Sequence, residues 1–323
     1  MNPFLLTNPL THPLMSQLLF RQGILFSVGA LALAAVHLWN VKFAGRDAQA
    51  LDPSERVLWL RYGTWVAIAL IFTGALLTGP LAIAILSASI CWQGGREYAA
   101  LTSMPKSHCL IMILGGLATL GAVLYWGASA LAIAPMLAFF GWSLLALLPV
   151  YKETECEQRF TIGLAGLWGY LYLSWLPAFL VALSMSKMPG LVLVAGLGVA
   201  LSDIGAFCMG KLLRGPRLAP RLSPNKTWGG LLGNLLGATL AITLTAFALP
   251  TLPLWQRVLL IAAVGLGSAW GDLLESLLKR QGKVKDAGTL LPGFGGLLDR
   301  ADSFLLVVPL VYYAAQFSSA WKL

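Results

Sequence analysis

Residues 255–319 read WQRVLLIAAVGLGSAWGDLLESLLKRQGKVKDAGTLLPGFGGLLDRADSFLLVVPLVYYAAQFSS. Two apolar runs, 255–278 and 303–319, flank one polar island between Ser276 and Ser303. A helix needs ~20 predominantly apolar residues to cross a bilayer. The stretch therefore predicts two membrane helices joined by a charged connection at one face of the membrane.

The same alternation runs outward through the chain. Hydrophobic residues make up 58% of the 323 positions and charged residues only 11%, against roughly 25% charged in ordinary soluble domains. Apolar runs recur at about 22–39, 59–78, 80–92, 109–126, 129–150, 161–184, 190–210 and 229–250, ahead of the final pair. The run 80–92 is short, so a half-helix or a tilted span completed by its neighbours is expected there. The fold expected is all-α, a polytopic integral membrane bundle of about ten transmembrane helices with short loops. Residues 1–21, whose first twenty carry no charge, read as an N-terminal tail. Residues 22–323 read as one integral membrane domain, with the chemistry concentrated at about 200–305.

Charge sets the orientation. With ten crossings, the connections at about 40–62, 93–108, 151–160, 211–228 and 279–302 share one side and hold 18 of the 22 Lys and Arg. The positive-inside rule makes that side cytoplasmic. The expected location is a bacterial inner (plasma) membrane, with the island facing the cytoplasm. The pI near 9.6 then reflects membrane loops attracted to anionic lipid headgroups. No compact basic domain points to a nucleic-acid partner. Cys91, Cys109, Cys156 and Cys208 lack zinc-ligand or disulfide spacing and read as packing residues.

Three polar groups converge on the charged face. Asp203 lies near the end of the seventh run, and an ionisable residue inside an apolar run is a functional candidate. The loop 217–228 offers Ser223, Lys226 and Thr227 as phosphate donors just ahead of a helix start, where backbone amides favour anions. Gly229, Gly233 and Gly237 then recur every four residues, as in close helix packing. In the island, Asp272, Ser276 and Lys279 fall on one helix face, and the Pro292–Gly296 turn can return Asp299 toward Asp272. Acids beside Lys279, Arg280, Lys285 and Arg300 suit a divalent metal and the phosphates it neutralises.

Gly271-Asp272, Glu275-Ser276, Lys279-Arg280, Lys285-Asp286, Pro292-Gly293, Gly295-Gly296, Asp299-Arg300 and Asp302-Ser303 together resemble the signature of the phosphatidate cytidylyltransferases, the CDP-diacylglycerol synthases. Asp203–Phe207 and Ser223–Gly230 are similar to that family's upstream motifs. The resemblance implies a membrane enzyme joining CTP to phosphatidic acid, or a related lipid phosphate, to give CDP-diacylglycerol and pyrophosphate. It implies magnesium, with potassium as a companion ion. Carried over, Asp272 and Asp299 become metal ligands with Asp302 helping, and Lys279 joins them in catalysis. Ser223, Lys226, Thr227, Ser276, Arg280, Lys285, Arg300 and Asp203 would surround the substrates. Phe294 stands where the family has His, and Gly229 where it has Glu, so the chain reads as a diverged paralogue. Competing expectations are a non-catalytic binder of anionic lipid or nucleotide and, further off, a transporter. The sequence leaves a homodimer open.

Overall fold

A computed structural model describes residues 6–44, 53–148, 156–249, 251–284, 286–293 and 295–317. Its long helices are α1 (Met15–Ala44), α2 (Pro53–Thr78), α3 (Pro80–Leu101), α4 (Lys106–Trp126), α5 (Ser129–Leu147), α6 (Cys156–Tyr170), α7 (Leu176–Met185), α8 (Gly190–Leu213), α9 (Trp228–Leu244), α10 (Leu254–Gln281) and α11 (Leu298–Gln316). A π-helical turn, Leu171–Trp175, joins α6 to α7 as one rod. The chain is an all-α membrane helix bundle. Seven of the described rods are long and apolar enough to cross a bilayer: α1, α2, α4, α5, α6–α7, α8 and α10.

The remaining helices explain why the sequence pattern weakens where it does. Helix α9 is apolar but has only 17 residues, while α11 begins with Asp299, Arg300 and Asp302. Of the two readings of 80–92, helix α3 sets the half-helix aside. It runs 22 residues, about 33 Å at 1.5 Å per residue. The apolar run breaks at Gln93 because the last two turns carry Arg96 and Glu97. The end assigned to the tail also differs, since α1 starts at Met15 and Thr7 donates its backbone amide to Thr78 O (2.8 Å). Cys156 and Cys208 are exposed, so packing accounts only for the more covered Cys91 and Cys109.

The core forms around α7 and α8, where Phe179, Leu180, Val181, Leu183, Leu191, Val192 and Val194 have essentially no exposed surface. Val307, Val308 and Val311 of α11 join it. The periodic glycines do what their spacing predicts. A Cβ on Gly205 or Gly233 would collide with the opposite helix's backbone, so α8 and α9 meet backbone to backbone. Between them a short hairpin, β1 (Arg217–Ala219) and β2 (Ser223–Thr227), pairs antiparallel with Arg217 opposite Thr227 and Ala219 opposite Ser223. It projects Lys226 toward α10.

Candidate active site

The site forms where α10 and α11 touch, and glycine permits the contact. A Cβ on Gly271 would lie 2.5 Å from Asp302 O and 2.6 Å from Ser303 Cα. No larger residue allows so close an approach. The approach places the start of α11 against Asp272 and Glu275. Ser303 Oγ closes the contact by donating to Ser268 O of α10 (3.2 Å).

Three carboxylates gather there. Asp272, Glu275 and Asp302 each offer an oxygen, and these atoms lie within 4.8 Å of one another. Glu275 is 2% exposed and Asp302 4%, and Glu275 Oε1 is buried without a hydrogen-bond partner. Buried like charges at this spacing repel, and an unsatisfied buried acceptor carries its own cost. A small divalent cation relieves both, and an all-oxygen donor set is what magnesium takes. The residues present fit such an ion.

Asp299 adjoins this group through Glu275 and the Lys279 they share, and the backbone holds most of its carboxylate. Its Oδ2 accepts from Gly296 N (2.7 Å) and Ala287 N (2.9 Å), and its Oδ1 lies 3.1 Å from Lys279 Nζ. The carboxylate expected to pair with Asp272 instead ties the 286–297 connection to α11. Gly293 and Gly295 make that possible, with φ of +77° and +92°, the left-handed region that favours glycine. A Cβ on Gly295 would also fall 2.6 Å from Asp299 Oδ2. Glu275, one residue before Ser276 on α10, completes the acid cluster with Asp272 and Asp302.

The cations are engaged by acids. Lys226 Nζ pairs with Asp272 Oδ2, a close ion pair by position though not an aligned hydrogen bond. Lys279 Nζ bridges Glu275 Oε2 (2.5 Å) and Asp299 Oδ1 (3.1 Å). Arg280 is exposed, and its Nε donates to Leu222 O (3.4 Å), joining α10 to the hairpin. Arg300 is exposed at the start of α11. Asp203, on α8, has Asp272, Lys226 and Arg300 as its charged neighbours, so the three expected groups do converge.

Two expected phosphate ligands serve the backbone. Thr227 Oγ1 accepts from Gly230 N (3.1 Å) as the N-cap of α9, and Ser276 Oγ donates to Asp272 O one turn back (2.8 Å). Ser223 is half-buried at the start of β2. Lys285 and Phe294 lie outside the described residues. Gly229 packs α9 on α8, because a Cβ there would sit 2.9 Å from Leu213 Cβ.

The first half of the chain also reaches the site, which its apolar sequence did not announce. Glu97 of α3, 5% exposed, accepts from Leu297 N (3.0 Å), Leu298 N (2.7 Å) and Gln93 Nε2 (2.8 Å). From α2, Arg61 Nε donates to Gly293 O (3.0 Å) and Thr64 Oγ1 to Pro292 O (3.2 Å). Tyr172, in the π-helical turn, buries a hydroxyl without a partner and has Asp302, Glu275 and Asp272 as its charged neighbours. Helical π turns are frequent at functional sites.

Comparison with known proteins gives this arrangement a family. The model of the cytidylyltransferase family matches residues 59–318, which takes in α3 as well as the acid cluster. A phosphatidate cytidylyltransferase of Synechocystis sp. is 46% identical over 114 residues, 35% of this chain and 38% of the relative. One from Staphylococcus haemolyticus is 41% identical over 121 residues, 37% of this chain and 46% of the relative. One from Bacillus subtilis is 63% identical over 43 residues, 13% of this chain and 16% of the relative. The chain thus spans less than half the length of the curated relatives it matches. With its family model running through α3 and the α10–α11 contact alike, the chain belongs to the cytidylyltransferase family.

Proposed function

We propose that this family member transfers CMP from CTP to phosphatidic acid, releasing pyrophosphate and forming CDP-diacylglycerol. The observation that carries the reading is the cluster of half-exposed Asp272 with buried Glu275 and Asp302 beside Lys226 and Lys279. It lies at the end of an apolar bundle, where a lipid phosphate and a water-soluble nucleotide can meet. The family membership and the names of the relatives support the same reaction.

In that reaction an oxygen of the lipid phosphomonoester attacks the α-phosphorus of CTP. A P–O bond forms to the lipid, and the bond from the α-phosphorus to the α–β bridging oxygen breaks. Pyrophosphate departs with its electron pair. Both reactants are anionic, so the chain must lower their mutual repulsion and stabilise the charge that builds on the leaving group. Exposed Arg280 and Arg300 draw the triphosphate inward, while Lys226 and Lys279 keep positive charge beside the reacting phosphates. Asp272, Glu275 and Asp302 would hold magnesium, which supplies charge neutralisation when bound. The lipid phosphate is largely ionised near neutral pH, so no side chain need remove a proton before attack.

The active face is cytoplasmic in this reading, and the membrane is the bacterial plasma membrane, because 18 of 22 Lys and Arg gather on that side of a ten-crossing chain. The decisive experiment is pyrophosphate release by the purified protein in detergent. Magnesium, CTP and phosphatidic acid are each omitted in turn. Release that needs all three is expected. A folded protein inert with every lipid phosphate and nucleotide tried would move the reading to a binding protein.

A further inference from the structure

The acid cluster depends on where α11 starts, and the residues that fix that start lie some 200 positions earlier in the chain. Leu297 N and Leu298 N would otherwise be open donors at the first turn of α11, since the opening amides of a helix have no partner within it. Both are taken by the buried Glu97 carboxylate, at 3.0 and 2.7 Å. A negative charge there is also favoured by the helix dipole. Gln93 holds the carboxylate from the preceding turn of α3 (2.8 Å). The fit is close: a Cβ on Gly296 would lie 2.6 Å from Glu97 Oε2, and one on Gly288 would lie 2.8 Å from Oε1.

Arg61 and Thr64 of α2 also bind the 286–297 connection, donating to the carbonyls of Gly293 and Pro292. The connection is therefore gripped from two helices that carry none of the signature. We propose that Glu97 is a positioning residue of this site, assisted by Arg61. It sets the origin of α11, so that Asp302 meets Asp272 and Glu275 while Asp299 stays in its knot of amides. Ion binding at the cluster is then a property of α2 and α3 as much as of α10 and α11. The inference deepens the proposed function, and its ion-binding part rests on that reading.

The test uses Glu97→Gln in the full-length protein. The amide keeps the shape but must turn an NH2 group toward one of the two backbone donors. Two readouts need neither CTP nor lipid: hydrogen exchange of the amides across 286–298, and binding of Mn2+ followed by the loss of its free EPR signal. Exchange should accelerate at least tenfold in 286–298 and remain as in the parent across the α8–α9 contact. Mn2+ affinity should fall at least tenfold, and Glu97→Asp should recover part of it. Arg61→Ala should speed exchange near 291–295 about two- to fivefold, which keeps the test decisive should the glutamine variant not fold. Parental exchange and parental Mn2+ affinity in these variants would overturn the proposal. An inert parent whose variants show the exchange and Mn2+ effects would overturn the activity and leave the positioning role standing.

Discussion

Asp299 and Asp302 stand almost one helical turn apart on α11, yet they belong to different kinds of region. Around Asp302, acids outnumber their partners, and Glu275 Oε1 is left without one. Around Asp299, both carboxylate oxygens are occupied by Ala287 N, Gly296 N and Lys279 Nζ. One region leaves ligand capacity unspent and the other has spent it on shape. Two acids of one motif can therefore contribute to the same reaction in ways that different measurements separate.

The sharpest break of this comparison is Asp272→Asn or Asp302→Asn. Each removes charge with little change in volume, and turnover should fall ~10³-fold or more. The fold should survive, and for Asp302→Asn the unfolding transition in detergent should lie at or above that of the parent because like charges have been relieved, whereas Asp272→Asn also gives up the ion pair with Lys226. Turnover within tenfold of the parent in both variants would remove the cluster from the chemistry.

Asp299→Asn should invert that pattern. Lys279 keeps Glu275 as a partner, so the loss of a charged acceptor for the Gly296 and Ala287 amides should dominate and cost about 1–3 kcal/mol of stability. Activity should fall only as far as the connection loosens, and thermal unfolding with hydrogen exchange would show that loosening directly. An unfolding transition matching the parent's, with activity lost, would return Asp299 to the ion's ligand set.

Gly271→Ala probes the contact between the two regions. Its methyl would meet Asp302 O at 2.5 Å, so α10 and α11 must separate, at a cost of about 1–3 kcal/mol for overpacking. Mn2+ affinity should weaken in parallel, and a variant with parental affinity would show that the cluster tolerates the shift. The smallest effect should come from Thr227→Ala, which removes an N-cap worth about 1 kcal/mol. The KM for CTP should stay put, because the hydroxyl is committed to Gly230 N. A large rise in that KM would restore Thr227 as a phosphate ligand.

The sequence made the bundle and the location of the site legible because apolar runs and stranded acids are both costly to arrange otherwise. It could not sort the acids. Which carboxylate meets Asp272 depends on the path of 286–297, and that path turns on positive φ at Gly293 and Gly295. Hydroxyls misled for a related reason: Ser276 and Thr227 each find a backbone partner within four residues, a local bond that competes with any ligand. Glu97 escaped because one acid at the end of an apolar helix has no pattern to join. The missing glutamate at 229 has a physical reading too. A Cβ at 229 would meet Leu213 Cβ at 2.9 Å, so Gly229→Glu requires α8 and α9 to shift.

The bond between Glu97 and α11 also has a consequence for how the protein is made. Its donors are 200 and 201 residues downstream. At synthesis rates of about 5–20 residues per second, roughly 10–40 s pass between the appearance of the carboxylate and that of its partners. Burying the charge with Gln93 as its single donor in that interval would be expensive, so the end of α3 must stay wet until the last helix arrives. Insertion of the early helices can proceed, but their final docking waits on the ribosome.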